Sequence, residues 1–339
     1  MERQKNRHRN KNSAYKYRRR RRYKKRFFIL MFILLIIAIA STLHIIDKMN
    51  IVDNLAKNTL EPLFKPISKV SGYDAKSLIL MDMKDDNIIA SKNSEDEILP
   101  ASLAKLFVIE FADEHVKLDE VIKVDDDFSK LIKEGSSVAN IEKKEYTAEN
   151  LFAAMLVPSG NDAAYALADY VGGKLDKKAK TTEDRIDAFV EGLNDYLKEK
   201  KYSDTVLHDP SGYDKKAVTS VSDLKKVSKK LLKKKWFRNI VSQGKYTAIL
   251  PDKSEESWKN TNEFLNKKSK YYNKNVTGIK TGSLNEEYNI VVLYKSNDRE
   301  FLICSLGSKT RNTRYEDVKH IIEVADELSA LENAKLDKK

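Results

Sequence analysis

The sequence predicts an α/β domain of the α+β type, in which one sheet is assembled from the two ends of the folded region and a helical lobe is inserted between them. Three observations carry this. Strand-like apolar runs occur near residues 77–90 and again after residue 246, helical periodicity fills the interval, and one long uncharged stretch precedes the whole.

Residues 1–26 hold fourteen Lys or Arg against one Glu, a basic tail too polar to bury a core. Phe27–Ile46 then runs for twenty residues without a formal charge, polar only at Ser41, Thr42 and His44. A helix of that length spans about 30 Å, the thickness of a bilayer core. Cations before such a span hold the N-terminus in the cytoplasm, so a single transmembrane anchor is expected, with everything after Ile46 outside the cell. The competing reading is a secretory signal whose apolar part is Phe27–Ala40, with Ala38-Ile39-Ala40 as a small-residue cleavage site. Residues 47–72 mix charges with Pro62 and Pro66 and are expected to form a stalk ahead of a folded domain over 73–339.

Within that domain Ser77–Met81 and Ile88–Ala90 predict a hairpin turning at Asp85-Asp86-Asn87. The stretch Pro100–Phe107 predicts a buried helix start. Helical patterns follow at Thr147–Val157, at the alanine-rich Asp162–Val171, through Ile186, Phe189, Val190, Leu193 and Leu197, and through Leu224, Val227 and Leu231. Strand signals return at Tyr246–Leu250, Val276–Lys280, Tyr288–Tyr294 and Phe301–Leu306. The last two form a hairpin around Ser296-Asn297-Asp298, and a final helix spans about Tyr315 to Leu331. A cleft between sheet and lobe is the natural site.

Charge and composition exclude several function classes. The formal net charge is +12, but the tail alone carries +13, so residues 27–339 carry −1 and cannot neutralise a phosphate backbone. A nucleic-acid partner is therefore not expected. The one cysteine, Cys304, lies in the apolar run Phe301–Leu306 and is assigned to packing. His8, His44, His115, His208 and His320 are scattered without metal-ligand spacing, so neither a metal nor another cofactor is expected.

Three short stretches carry chemistry. Ser102 and Lys105 are three residues apart on one helical face, a nucleophile beside its base, and the helix N-terminus brings positive potential to the serine oxygen. In so lysine-rich a chain that spacing is commonplace taken alone. Ser159 and Asn161 sit in Pro158-Ser159-Gly160-Asn161, where residue preference alone favours a helix N-cap. Lys280, Thr281, Gly282 and Ser283 lie on a strand, where Lys280 and Thr281 point to opposite faces unless the strand is distorted. An SxxK, an SxN and a KTG in that order form a specific set, the trio of serine β-lactamases and penicillin-binding proteins.

On these residues the chain resembles the serine-type D-alanyl-D-alanine carboxypeptidases, low-molecular-mass penicillin-binding proteins of the peptidase S11 kind. The resemblance covers roughly Tyr73 to Leu331. It extends to Ser136–Ala139, Leu156–Ala164, His208–Gly212, Trp258–Asn262 and Gly278–Gly282. It implies helices packed on a mainly antiparallel sheet with an all-helical lobe, the β-lactamase and penicillin-binding-protein arrangement. It also implies that Ser102 attacks the carbonyl between two terminal D-alanines of a peptidoglycan stem peptide, with β-lactams as covalent inhibitors. Lys105 takes the serine proton, made neutral by burial beside Lys280, and Ser159 relays a proton to the leaving amine. Asn161 holds the substrate amide, while Lys280 and Thr281 orient the terminal carboxylate. Backbone N–H groups of Ser102 and Ser283 form an oxyanion hole, and Arg314 aligns with an arginine near the carboxylate end.

Members of that family commonly use a cleaved signal and a C-terminal amphipathic anchor after an extra β-domain, whereas this chain ends near the last expected helix of the domain, so attachment is expected at the N-terminus. A β-lactamase is the nearest rival, but it carries SDN where this chain has Ser159-Gly160-Asn161 and needs a deacylating glutamate that no loop supplies. A catalytically silent wall-binding protein is the alternative from another class. Residues Lys174–Thr182 and the lysine-rich Lys225–Lys235 match no motif.

Overall fold

The computed structural model describes residues 72–336 apart from Asp126, with side chains as far as residue 330. The chain divides into two units, residues 1–68 and 69–339, and everything described belongs to the second. The tail, the apolar segment 27–46 and the stalk to residue 71 lie outside the described residues. Among the described residues no helix is long and apolar enough to cross a membrane.

The sheet is built from both ends of the domain. Strands β1 (Ser77–Asp82) and β2 (Asn87–Lys92) form the expected hairpin. β7 (Val276–Leu284), β8 (Glu287–Ser296) and β9 (Arg299–Ser308) complete a five-stranded antiparallel sheet in the order β2-β1-β9-β8-β7. The central strands are apolar on both faces because both faces are covered. Ile79, Met81, Val291, Leu293, Leu302, Cys304 and Leu306 join the core of the helical lobe. Their alternates, Leu80, Ile290, Val292 and Ile303, are buried on the other face. The C-terminal helix α7 (Arg311–Leu336) packs on β8 and β9, where Tyr294 Oη donates to Asp326 at 2.7 Å.

The lobe comprises α1 (Ala104–Ala112), α2 (Ala148–Leu156), α3 (Asn161–Leu175), α4 (Thr182–Glu199), α5 (Val221–Leu231) and α6 (Lys235–Val241). Apolar spacing and caps explain most of it. Thr147 and Thr181 open α2 and α4 with reciprocal capping boxes, and Ser220 caps α5. In α4, Ile186, Phe189, Leu193 and Leu197 are buried on one face, as their spacing requires.

One expectation is corrected. Tyr246–Leu250 does not join the main sheet. It becomes β5 (Lys245–Ile249), paired only with β6 (Glu255–Lys259) around a turn at Pro251–Ser254. Each of these strands buries a single residue, Ala248 and Trp258, so neither has the apolar faces a central strand needs. Short strands β3 (Val121–Lys123) and β4 (Glu145–Thr147), together with α6, carry no distinct sequence signal and were not expected.

Candidate active site

Ser102 lies in a 3-10 turn, Ala101–Leu103, that leads directly into α1. In such a turn residues i and i+3 nearly eclipse, which brings Lys105 beneath the serine. Lys105 Nζ is 3.0 Å from Ser102 Oγ, and it also donates to Asn161 Oδ1 at 2.7 Å and to the Ser211 carbonyl at 2.9 Å. These three partners have a chemical meaning. A neutral amine has two N–H bonds and one lone pair, and the amide oxygen and the carbonyl can only accept. The charged ammonium donates to all three, and once neutral it keeps its two N–H bonds on the amide oxygen and the carbonyl and turns its lone pair to the Ser102 hydroxyl.

Lys105 is fully buried. Burial pushes its ammonium down to about 7, against the opposing pull of the Asp209 and Asp162 carboxylates. The expectation that Lys280 would depress Lys105 is corrected in emphasis, because desolvation is the leading cause. The repulsion between the two cations appears on Lys280 instead, held well below the usual lysine range by burial first, then by Lys105 and Arg314.

The expected N-cap role of Ser159 and Asn161 does not hold. Gly160 occupies the cap position of α3 without a side-chain bond, and Ser159 sits at φ +68° in the preceding loop. Both side chains are taken by lysines: Lys280 Nζ donates to Ser159 Oγ at 2.7 Å, as Lys105 does to Asn161. The amide end of Asn161 has no hydrogen-bond partner among the described residues. Asp162 fastens the neighbouring wall, accepting from the Ala139 and Ile141 N–H groups.

On β7 the register shifts between Val276 and Ile279, and Gly278 stands at φ +136°. In that distorted strand Lys280 and Thr281 are both buried, rather than one of them facing solvent. Thr281 Oγ1 lies 2.7 Å from Thr261 Oγ1, and Ser283 is exposed at the strand's end. Gly282 permits the approach of strand to nucleophile. A Cβ there would lie 2.8 Å from the Pro100 carbonyl and 3.2 Å from the Ser102 nitrogen. Arg314 is buried behind the strand, its guanidinium donating to Ser283 Oγ at 3.0 Å and to the Gly282 carbonyl at 3.2 Å. The structure thus gathers Ser102, Lys105, Ser159, Asn161 and Lys280 through direct contacts and brings Gly282 against the serine turn. Arg314 reaches the group only through the backbone and Ser283.

The loop His208–Asp214 contributes what residue types alone did not disclose. Asp209 Oδ1 accepts from Ser211 N and Oγ, both at 2.6 Å, and from Gly212 N at 2.8 Å, while Oδ2 accepts from Asp214 N at 2.5 Å. That cage aims the Ser211 carbonyl at Lys105. Asp209→Asn keeps most of the cage but removes the charge that favours ammonium at Lys105. The pH midpoint for deprotonation of Lys105 is then expected to move downward, read from the pH dependence of Ser102 reactivity across pH 5–9. An unchanged or raised midpoint would rule this electrostatic role out.

A family model described as D-alanyl-D-alanine carboxypeptidase, peptidase S11, matches residues 65–310. Among curated proteins, the D-alanyl-D-alanine carboxypeptidase DacF of Bacillus subtilis is 24% identical over 263 residues, covering 75% of this chain and 62% of its own length. DacC of Escherichia coli is 26% identical over 269 residues, covering 74% of this chain and 60% of its own. The chain thus spans about 60% of the length of these relatives. Among solved structures, the Streptomyces K15 DD-transpeptidase superposes with a TM-score of 0.66 at 23% identity, covering 74% of this chain and 97% of the other. The ampicillin-bound penicillin-binding protein D2 of Listeria monocytogenes gives 0.59 at 21%, covering 75% and 98%. At these identities the structural likeness establishes the fold.

Proposed function

The chain belongs to the peptidase S11 family of D-alanyl-D-alanine carboxypeptidases, and from that premise we propose that it removes the terminal D-alanine of peptidoglycan stem peptides through an acyl-enzyme on Ser102. The observation that carries this is the three-way coordination of Lys105, which suits a neutral amine whose lone pair faces the Ser102 hydroxyl. Lys105 takes that proton as Ser102 Oγ adds to the penultimate D-alanine carbonyl. The oxyanion develops beside the turn and β7, and the Ser102 and Ser283 N–H groups are assigned to receive it.

Collapse breaks the C–N bond. Ser159 hands its proton to the departing amine and is replenished by Lys280, which already donates to its oxygen. The depression of Lys280 makes its ammonium a readier acid, and an arriving substrate carboxylate supplies the missing counter-charge. Thr281 orients that carboxylate, and Asn161 offers its free amide end to the peptide. Water then adds to the acyl carbon, its proton passing through Ser159 to Lys280, and Ser102 Oγ departs with the proton held by Lys105, which releases the shortened peptide and restores the site. A β-lactam enters the same path and stalls as the acyl-enzyme.

Anchoring belongs to the same proposal. The uncharged segment 27–46 behind fourteen cations supports an uncleaved single span, with residues 1–26 cytoplasmic and the catalytic domain outside. The test is D-alanine release from an acylated Lys-D-Ala-D-Ala peptide by the full chain in detergent, with mass spectrometry of the penicillin adduct. Release, with the adduct on the peptide containing Ser102, is expected. A folded chain that neither releases D-alanine nor is acylated would sink the reading.

A further inference from the structure

Asn289, on β8, is completely buried and every hydrogen-bonding group of its side chain is used. Nδ2 donates to the Leu99 carbonyl at 2.8 Å and to the Pro100 carbonyl at 3.1 Å, and Oδ1 accepts from Gly307 N at 2.8 Å. One amide thereby joins β8 and β9 to the two residues that enter the serine turn. The Asn289 backbone pairs with Gly282 and its carbonyl accepts from Arg314 Nη1 at 3.3 Å, but the side-chain amide makes no hydrogen bond to Ser102, Lys280 or Thr281.

The turn it grips is held in a costly shape. Ala101 stands at φ +48°, a left-handed conformation that is unfavourable by about 1–2 kcal/mol for a residue with a Cβ. Such a residue persists only where its surroundings over-determine it. Here the determinants are few and visible. The Pro100 carbonyl accepts from Leu103 N at 3.2 Å, Gly282 presses against it from β7, and Asn289 fixes both peptide planes that precede Ala101. Rotation of the Pro100–Ala101 plane would swing the Ser102 nitrogen away from β7 and lengthen the 3.0 Å contact to Lys105.

We propose that Asn289 is a positioning residue for acylation, holding the Leu99–Ala101 backbone so that the Ser102 hydroxyl and N–H are both set before an acyl donor arrives. The inference rests on the proposed reaction at Ser102 and adds to it a residue outside the three motifs. Because Asn289 acts on the geometry of the nucleophile and not on the carboxylate pocket, its loss is expected in the rate constant of acylation rather than in the affinity that precedes it.

Asn289→Asp separates this from simple structural support. The side chain has nearly the same shape and still accepts from Gly307 N, but as a carboxylate it donates to neither the Leu99 nor the Pro100 carbonyl and as a neutral acid to only one of them. The full chain in detergent is mixed with a fluorescent penicillin at a series of concentrations, which resolves the pre-acylation dissociation constant from the acylation rate constant. Rates are referred to the fraction folded by thermal melt. The expected result is a 10- to 100-fold fall in the rate constant with the dissociation constant changed by less than about threefold. A folded variant that acylates within twofold of wild type, or whose loss lies wholly in the dissociation constant, would overturn the inference. Should Asn289→Asp not fold, Asn289→Ser, which is smaller and can still donate one bond, is judged by the same two constants. Wild type that is never labelled at Ser102 would instead overturn the proposed reaction, and this inference with it.

Discussion

Replacing Lys105 by alanine is expected to lower acylation by at least about 10³-fold, and Ser102→Ala to abolish it, because the two form one acid–base unit whose members fail together. Lys105→Arg should not rescue. A guanidinium is not deprotonated in this range, so it fills the space without supplying a lone pair. In wild type the sign of the pH dependence follows from the same group. Acylation needs neutral Lys105, whose ammonium burial has brought to about 7. The rate should therefore rise as pH increases through about 7 and level off above it. A profile that falls over that interval would mean that the charged lysine is the active form. The measurement is the second-order rate of covalent labelling by a fluorescent penicillin, beside circular dichroism to establish folding.

The second large effect is expected at Gly212, in the loop beneath the serine turn. Its φ is +78°, and a Cβ there would lie 2.0 Å from the Ala101 carbonyl oxygen and 2.7 Å from Ala104 Cβ. Both obstacles are close to the backbone, so no rotamer change clears them. Left-handed strain and overpacking together give a cost of about 3 kcal/mol or more for Gly212→Ala. For a domain of this size the melting temperature should drop by roughly 6–12 °C. Labelling should fall by about 10²-fold, since the displaced loop carries the Ser211 carbonyl away from Lys105. Gly135→Ala is the control. That residue has nearly the same φ, +79°, with nothing near its missing Cβ, so it isolates the strain. Equal losses at the two positions would show that the clash with Ala101 contributes nothing.

The geometry of this site was legible where it depends on spacing along one element, and hidden where it depends on backbone groups far away. Ser102 and Lys105 are three positions apart in a helix start, so their meeting is local. The two-ended sheet was legible too, because β8 and β9 are apolar over consecutive positions and only a doubly covered strand reads that way. Asn289 reaches carbonyls 190 and 189 positions earlier in the chain, and carbonyls have no letter in a sequence. Asp209 looks like an ordinary turn residue, which it is; its effect on Lys105 passes through the Ser211 carbonyl. Ser159 and Asn161 read as helix caps only from residue type taken alone. In the structure their side-chain oxygens accept from the buried Lys280 and Lys105 amines, and Gly160 takes the cap position of α3.

The pairing of β1 with β9 has a consequence for the order of events during synthesis. Ser77 lies opposite Leu306 and Asp82 opposite Phe301, so β1 is made early and waits for its neighbour until nearly the whole domain has emerged. Loop closure itself is mild, since each doubling of length adds only about 0.6 kcal/mol, but the waiting leaves an apolar strand edge unsealed. Lys280 and Asn289 also arrive late. Until they do, Ser102 sits in a turn with neither its clamp nor the second lysine, and the nascent chain carries a nucleophile that cannot yet act. For the proposed reaction the topology works as a timer, completing the site only once the last strand has docked.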